Sequence, residues 1–285
     1  MNQQIIACID QSSYSTTVCD YAVWAAQRLE APLQFAHVLD RVAQPASHSD
    51  LSGNIGLGSR EDLLDQLAAL DEQRSRIAQE GGRLLLDSAR ARARDAGIAA
   101  PQSHQWHGEL VDTLLELEPD VRLFVLGQRG DAAGQAARHL GSNLERVVRA
   151  LHRPILVVPS AFVPVHKIMI AFDASATADK GIALLATSPL FRGLSCAVVM
   201  VGAETDSHRV ALEQARQQLA GNGLTVTVDL LQGDADHVLA DYAKSHAIDL
   251  MVMGAYGHSR LRQLILGSTT TTLLRTTRIP ILLLR

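Results

Sequence analysis

Cysteine is scarce in this chain and poorly placed for chemistry. The three cysteines, Cys8, Cys19 and Cys196, form no CxxC pair or other metal-ligand spacing. An odd number argues against a disulfide framework and fits a reducing compartment. Cys8 and Cys196 fall in apolar runs of strand character and are expected as buried structural thiols. Concentrated positive charge is also missing. With 26 Lys and Arg against 30 Asp and Glu, the formal net charge is -4, and no basic run provides the footprint that a nucleic-acid backbone requires. No apolar run approaches the roughly 20 residues that cross a bilayer, and the opening MNQQIIACID has no basic segment leading into an apolar one. A cytoplasmic protein that engages neither nucleic acid nor membrane is expected. Catalytic signatures are lacking as well: no Walker lysine follows a glycine loop, and there is no HExxH, GxSxG or Ser-Gly-Gly-rich pyrophosphatase loop.

Core-forming material, by contrast, is ample. Apolar residues make up 47% of the 285 residues and charged residues 20%, which excludes wholesale disorder, and the length suits two domains with a core each. An internal repeat supports that division. IIACIDQS at 5–12 matches IMIAFDAS at 168–175, placing Asp10 on Asp173 and Ser12 on Ser175. LFVLGQRG at 123–130 falls on LMVMGAYG at 250–257, Gly141-Ser142 on Gly267-Ser268, and RPILVV at 153–158 on IPILLL at 279–284. A period of more than 100 residues is too long for a solenoid, so each copy is a complete unit, residues 1–160 and 161–285. The stretch PSAFVPVHK, with Pro159 and Pro164, is the extended linker.

Within each copy, short Val, Ile and Leu runs alternate with segments of helical period, the pattern of βαβ units around a parallel sheet. In the second copy, strands are predicted near 167–172, 195–201, 224–231, 249–254 and 280–284. A helix over 207–220 carries Val210, Leu212, Ala215 and Leu219 on its apolar face and stops at Gly221-Asn222-Gly223. The first copy carries an excess at 40–75. It begins with the Gly, Ser, Asn and Pro-rich stretch RVAQPASHSDLSGNIGLGSR and joins a long amphipathic helix running to about Arg94. Glu61, Asp62, Asp65, Asp71, Glu72, Arg74 and Arg76 read as the solvated side of that helix.

Parallel sheets covered on both faces bind ligands where strand order reverses, beyond the strand carboxyl ends. The second copy places an acidic residue, Asp173, after its first strand and Gly254-Ala255-Tyr256-Gly257 after its fourth. Glycines let backbone N–H groups approach a phosphate without a Cβ in the way. Gly267-Ser268 opens the last helix, whose unpaired N–H groups and macrodipole favour an anion, and the hydroxyls of Ser268 and Thr269 add donors.

Gly254-x2-Gly257-x9-Gly267-Ser268, together with the Asp173-x-Ser175 start and the PILLL ending, resembles the phosphate-binding pattern of the universal stress protein family over essentially the whole second copy. The resemblance implies two tandem five-stranded parallel-sheet domains with helices on both faces, flavodoxin-like and similar to adenine nucleotide alpha hydrolases, with strand order 3-2-1-4-5. It also implies ATP or AMP as ligand, with magnesium accompanying ATP. In nucleotide-binding members the strand-one tip contacts adenosine, which falls here on Ala171, Phe172 and Asp173. A backbone group after strand two reads adenine, falling on Val201, and the residue before the first glycine is Met253. Gly254, Gly257, Gly267, Ser268 and Thr269 fall where ribose and phosphates are held. Asp173 also suits a ribose hydroxyl on chemical grounds.

A second candidate site in the first copy comprises Asp10, Val38, Gly127, Gly130, Gly141 and Ser142. It departs from the pattern, because ten residues rather than nine separate Gly130 from Gly141 and the stretch includes an extra glycine, Gly134. Simpler roles also fit several residues. Asp10, Asp173, Ser12 and Ser175 suit helix starts. His107 has Gln232 as its counterpart, against a catalytic role, and Arg260 and Arg262 suit a solvated face or a phosphate contact. A regulatory stress-response protein that binds ATP or AMP is expected. The alternatives are a slow ATPase or autophosphorylating enzyme and a nucleotide-free interaction scaffold. The final strands, PILVV and PILLL, have edges open to pairing. The family joins domains through such strands, so an internal pseudo-dimer is expected, with homodimerisation as a further option.

Overall fold

The computed structural model describes residues 3–39, 57–130, 142–255 and 267–285. The first copy runs β1 (Gln4–Cys8), α1 (Ser15–Leu29), β2 (Leu33–Leu39), α2 (Leu57–Asp95), β3 (Gln102–His107), α3 (Leu110–Leu117), β4 (Val121–Gly127), α4 (Ser142–Ala150) and β5 (Ile155–Val158). The second runs β6 (Lys167–Ala171), α5 (Ala176–Thr187), β7 (Ser195–Val201), α6 (Asp206–Ala220), β8 (Thr225–Leu231), α7 (Ala235–Ser245), β9 (Leu250–Gly254), α8 (Ser268–Thr276) and β10 (Ile281–Leu284). All five strands expected in the second copy are present within one residue at each end.

One ten-stranded sheet orders the strands β3-β2-β1-β4-β5-β10-β9-β6-β7-β8, so each copy has the order 3-2-1-4-5 and the second mirrors the first. Neighbours within a copy are parallel. The junction is antiparallel, with Ile281 opposite Val157, Leu282 opposite Leu156 and Leu283 opposite Ile155. The copies therefore pair through their last strands. Both strands are four apolar residues buried on both faces, and each would otherwise leave a hydrophobic ladder of unpaired N–H and C=O groups.

The expectation of one core per copy gives way to a different arrangement. The buried residues form two layers, divided by sheet face, and each layer crosses the β5–β10 junction. One layer packs α1, α2, α5 and α6 on Ile5, Phe35, Leu156, Ile168, Leu250 and Leu282. The other packs α3, α4, α7 and α8 on Ile6, Phe124, Ile155, Met169, Met251 and Leu283. Strand alternation is the reason: once the last strands pair, odd and even side chains of both copies continue onto the same two faces.

Polar contacts reinforce the junction. Thr17 Oγ1 donates to the Pro159 carbonyl at 2.8 Å and Arg28 Nε to the Leu190 carbonyl at 2.6 Å. In the linker, Phe162 packs edge-on against Tyr21, with ring centroids 4.7 Å apart, and the Val163 N–H donates to Tyr21 Oη at 3.2 Å. Gln128 Nε2 donates to the Leu274 and Thr277 carbonyls, and the Arg285 guanidinium to the Leu151 carbonyl. The ends of α8 and α4 are thus met by groups from the opposite copy.

Two helices refine the sequence reading. On α6, Leu212, Ala215 and Leu219 are buried as expected, but Val210 is 55% exposed. It precedes Leu212 by two residues, about 200° around the helix, on the solvent side. On α2 the C-terminal third lies on the sheet, with Leu86, Ala89 and Ala93 buried. A Cβ at Gly82 would sit 2.6 Å from His37 Cδ2 and 2.9 Å from Gln105 Nε2, so glycine there permits the close approach of helix to sheet. Among the described residues, no helix is long and apolar enough to cross a membrane.

Candidate functional site

The parallel register brings three of the expected residues of the second copy to the same sheet edge. Ala171 at the end of β6 lies opposite Met253 on β9, and β7 on its other side ends in Val201. Gly254 ends β9, and the next residue, Ala255, donates its N–H to the Leu284 carbonyl at 2.9 Å. Phe172 follows Ala171 but turns into the core, 4% exposed, with its N–H donated to the Val199 carbonyl at 2.9 Å. Its side chain belongs to the packing, leaving only its backbone for a ligand.

Asp173 is exposed at the strand tip, and its Oδ1 accepts the Ser175 N–H at 3.0 Å. Ser175 caps α5 by accepting the Ala178 N–H at 3.2 Å. Asp10 holds the Ser12 N–H at 3.0 Å in the same way. The aspartates thus shape the two tip loops through side-chain turns, and the cap of α5 is Ser175. Between Asp173 and Ser175, Ala174 adopts φ 54°, the left-handed region. That conformation costs an L-residue of order 1 kcal/mol. Ala174→Gly is therefore expected to stabilise the protein by about 0.5 kcal/mol, less than the full strain because glycine loses more backbone entropy on folding. A rise in the urea midpoint with unchanged slope checks this, and a fall contradicts it.

Beyond Gly254, α8 begins with Gly267 at the N-cap, φ -56° and ψ 141°, with no side-chain cap. Ser268 is exposed and Thr269 half-buried. Thr270, 3% exposed, points inward and donates its hydroxyl to the Gly254 carbonyl at 3.4 Å, tying the helix start to the end of β9. The sequence reading missed Thr270. Its signal lay within the run of four threonines, where helical phase turns one hydroxyl toward the sheet. Gly257 lies outside the described residues, as do Arg260 and Arg262.

In the first copy the fourth strand ends at Gly127. Val38 ends near β3, opposite Trp106. A Cβ at Gly127 would lie 2.7 Å from Tyr14 Cβ, so this glycine makes room for the aromatic residue at the start of α1, where the second copy has Thr177. A Cβ at Gly130 would lie 2.9 Å from Asp10 Oδ2, so the carboxylate abuts the glycine turn. Ser142 opens α4, while Gly134 and Gly141 lie outside the described residues. His107 is exposed at the end of β3, opposite Leu39. Desolvation first, then the Asp10 carboxylate, pushes the nearby Cys8 thiol up to about 12, which leaves it protonated and a poor nucleophile at neutral pH. Among the described residues, no group of three or more His, Cys, Asp or Glu could hold a metal.

A mirrored pair of 3-2-1-4-5 units, each with an acidic residue past its first strand and a glycine at the end of its fourth, defines the class: a tandem α/β protein of flavodoxin-like architecture. The family model described as the universal stress protein family matches residues 1–159 and again 171–285. A universal stress protein of Synechocystis sp. is 38% identical over 286 residues, covering 99% of this chain and 100% of the relative. The chain belongs to the universal stress protein family, as a tandem member. Solved structures show the same fold. A universal stress protein from Archaeoglobus fulgidus superposes with a TM-score of 0.68 at 15% identity, covering 100% of this chain and 97% of the other. A protein of unknown function from Pseudomonas aeruginosa gives 0.60 at 14% identity, covering 99% and 92%.

Proposed function

We propose that this protein is a stress-response regulator that binds ATP or AMP in its C-terminal unit, residues 161–285, as a sensor and not as a catalyst. The observation that carries the reading is the start of α8. It has no side-chain cap, it is held against the end of β9 by Thr270, and it shares a sheet edge with the Asp173 tip. Uncapped N–H groups with the positive end of a helix dipole favour a phosphate. Asp173 is exposed and can accept a hydrogen bond from a ribose hydroxyl. Adenine would lie between the ends of β6, β7 and β9, near Ala171, Val201 and Met253. Magnesium enters as the counter-ion of the ATP phosphates, since the described side chains offer no cluster for it.

The loop spacing favours the second copy over the first, since nine residues separate Gly257 from Gly267 whereas ten separate Gly130 from Gly141. The reading is tested by calorimetric titration of nucleotide-stripped protein with ATP and magnesium. One site per chain is expected, with micromolar affinity, about -8 kcal/mol. Asp173→Ala should weaken it about tenfold through loss of one hydrogen bond to a charged group. Absence of heat and of competition by any adenine nucleotide would overturn the reading in favour of a scaffold. Steady release of ADP, lost with the binding site, would overturn the non-catalytic part.

A further inference from the structure

The long helix α2 extends well beyond what the fold uses. It ends as α6 does, with the Ile98 N–H donated to the Ala93 carbonyl and the Leu224 N–H to the Leu219 carbonyl, both at the first residue past the turn. In that register Asp206, the first residue of α6, falls on Glu80. Residues 57–79 of α2 are therefore an arm with no counterpart in the second copy, about 35 Å long.

Large apolar side chains line the solvent side of this helix. Leu67, Leu70, Ile77 and Leu84 are 38%, 50%, 65% and 55% exposed. Leu70, Ile77 and Leu84 recur every seventh residue, and Leu67 stands three before Leu70. A seven-residue repeat is the period at which two helices keep one seam in contact along their length. The stripe lies apart from the face that Leu86, Ala89 and Ala93 bury against the sheet.

The charges beside the stripe identify the occupant. Around Ile77 three pairs of positions are complementary on reversal. Seven residues to either side stand Leu70 and Leu84. Three to either side stand Arg74 and Glu80, and six to either side Asp71 and Arg83. Leu70 and Leu84 mirror onto each other and each of these four charges onto its opposite, while Leu67 falls on Asp87. Among the described residues, Arg74 makes a loose 3.9 Å contact to Asp71, and the Arg83 pairs with Glu80 and Asp87 are solvent-exposed. An isologous two-fold contact requires this self-complementarity.

We propose that α2 is a dimerisation arm that packs antiparallel against α2 of a second copy of this chain, about a two-fold axis through Ile77. Leu70 then meets the partner's Leu84, Ile77 meets the partner's Ile77, Arg74 pairs with the partner's Glu80, and Asp71 with the partner's Arg83. This contact is independent of the β5–β10 junction, which lies within one chain, and of nucleotide binding.

Sedimentation equilibrium tests the proposal on the full chain. The wild type is expected at twice the 30.7 kDa chain mass. Ile77→Asp should give a 30.7 kDa species with an unchanged circular dichroism spectrum. Arg74→Glu and Glu80→Arg should each weaken the dimer about tenfold, and the double variant should restore it, since each reversal then meets its complement. A second readout uses Ile77→Cys, which lies on the axis and should form an interchain disulfide with oxidised glutathione, whereas Gln73→Cys should not. Background from native thiols is low, because burial foremost pushes Cys8, Cys19 and Cys196 up to about 12. A wild type that stays monomeric up to about 100 μM, a dimer indifferent to Ile77→Asp, or a double variant that fails to restore association would each overturn the proposal.

Discussion

Gly267→Asp is expected to make the free protein more stable and the nucleotide-bound protein less so. Gly267 is the N-cap of α8 with φ -56° and ψ 141°, a conformation open to any L-residue. An aspartate there can accept the N–H groups of the first turn, as Ser175 does for α5. Relative to glycine, such a cap adds a few tenths of a kcal/mol. The same carboxylate occupies the donors proposed for phosphate and places a negative charge beside it. ATP affinity should fall about 100-fold, near 2.7 kcal/mol. At 100 times its dissociation constant a ligand stabilises the wild type by about 2.7 kcal/mol, so the order of melting temperatures should invert when ATP is added. Retained affinity in a well-folded variant contradicts the assignment of α8 as the phosphate site.

The second large effect concerns cooperativity. Because each buried layer crosses the β5–β10 junction, the copies should unfold together. Both tryptophans, Trp24 and Trp106, lie in the first copy, so their fluorescence reports that copy alone. Leu250→Ala truncates a fully buried side chain on β9, in the second copy. A cost of about 2–5 kcal/mol is expected for the cavity. The tryptophan transition in urea should shift to lower midpoint by the same amount as the circular dichroism transition. Two-step unfolding by circular dichroism, with the fluorescence midpoint unmoved, would mean that each copy is stable on its own.

The sequence disclosed the framework more fully than the contacts. Buried parallel strands are continuous apolar runs, so β6, β7, β9 and β10 stood out, β8 showed by its alternation, and the repeat made several landmarks appear twice. The pairing of PILVV with PILLL was legible because apolar strands at a sheet edge demand a partner. The shared core was less visible: two repeats imply two cores until the antiparallel junction aligns their alternating faces. Val210 shows the limit of reading a helix face from composition, since an apolar residue two positions from Leu212 lies on the other side. Thr270, Gln128 and the contact of Tyr14 with Gly127 depend on side-chain direction across elements far apart in the chain. The first-copy site looked like a variant of the second by its glycines, with one more residue before its last helix.

Hydrogen exchange of the full chain with and without ATP tests the central claim most directly, because it reports where backbone N–H groups gain protection. Added protection is expected in peptides spanning 171–175 and 254–271, with 127–130 and 142–150 unchanged. Protection confined to the first copy, or none anywhere at saturating ATP, would contradict the assignment of the C-terminal unit as the nucleotide site.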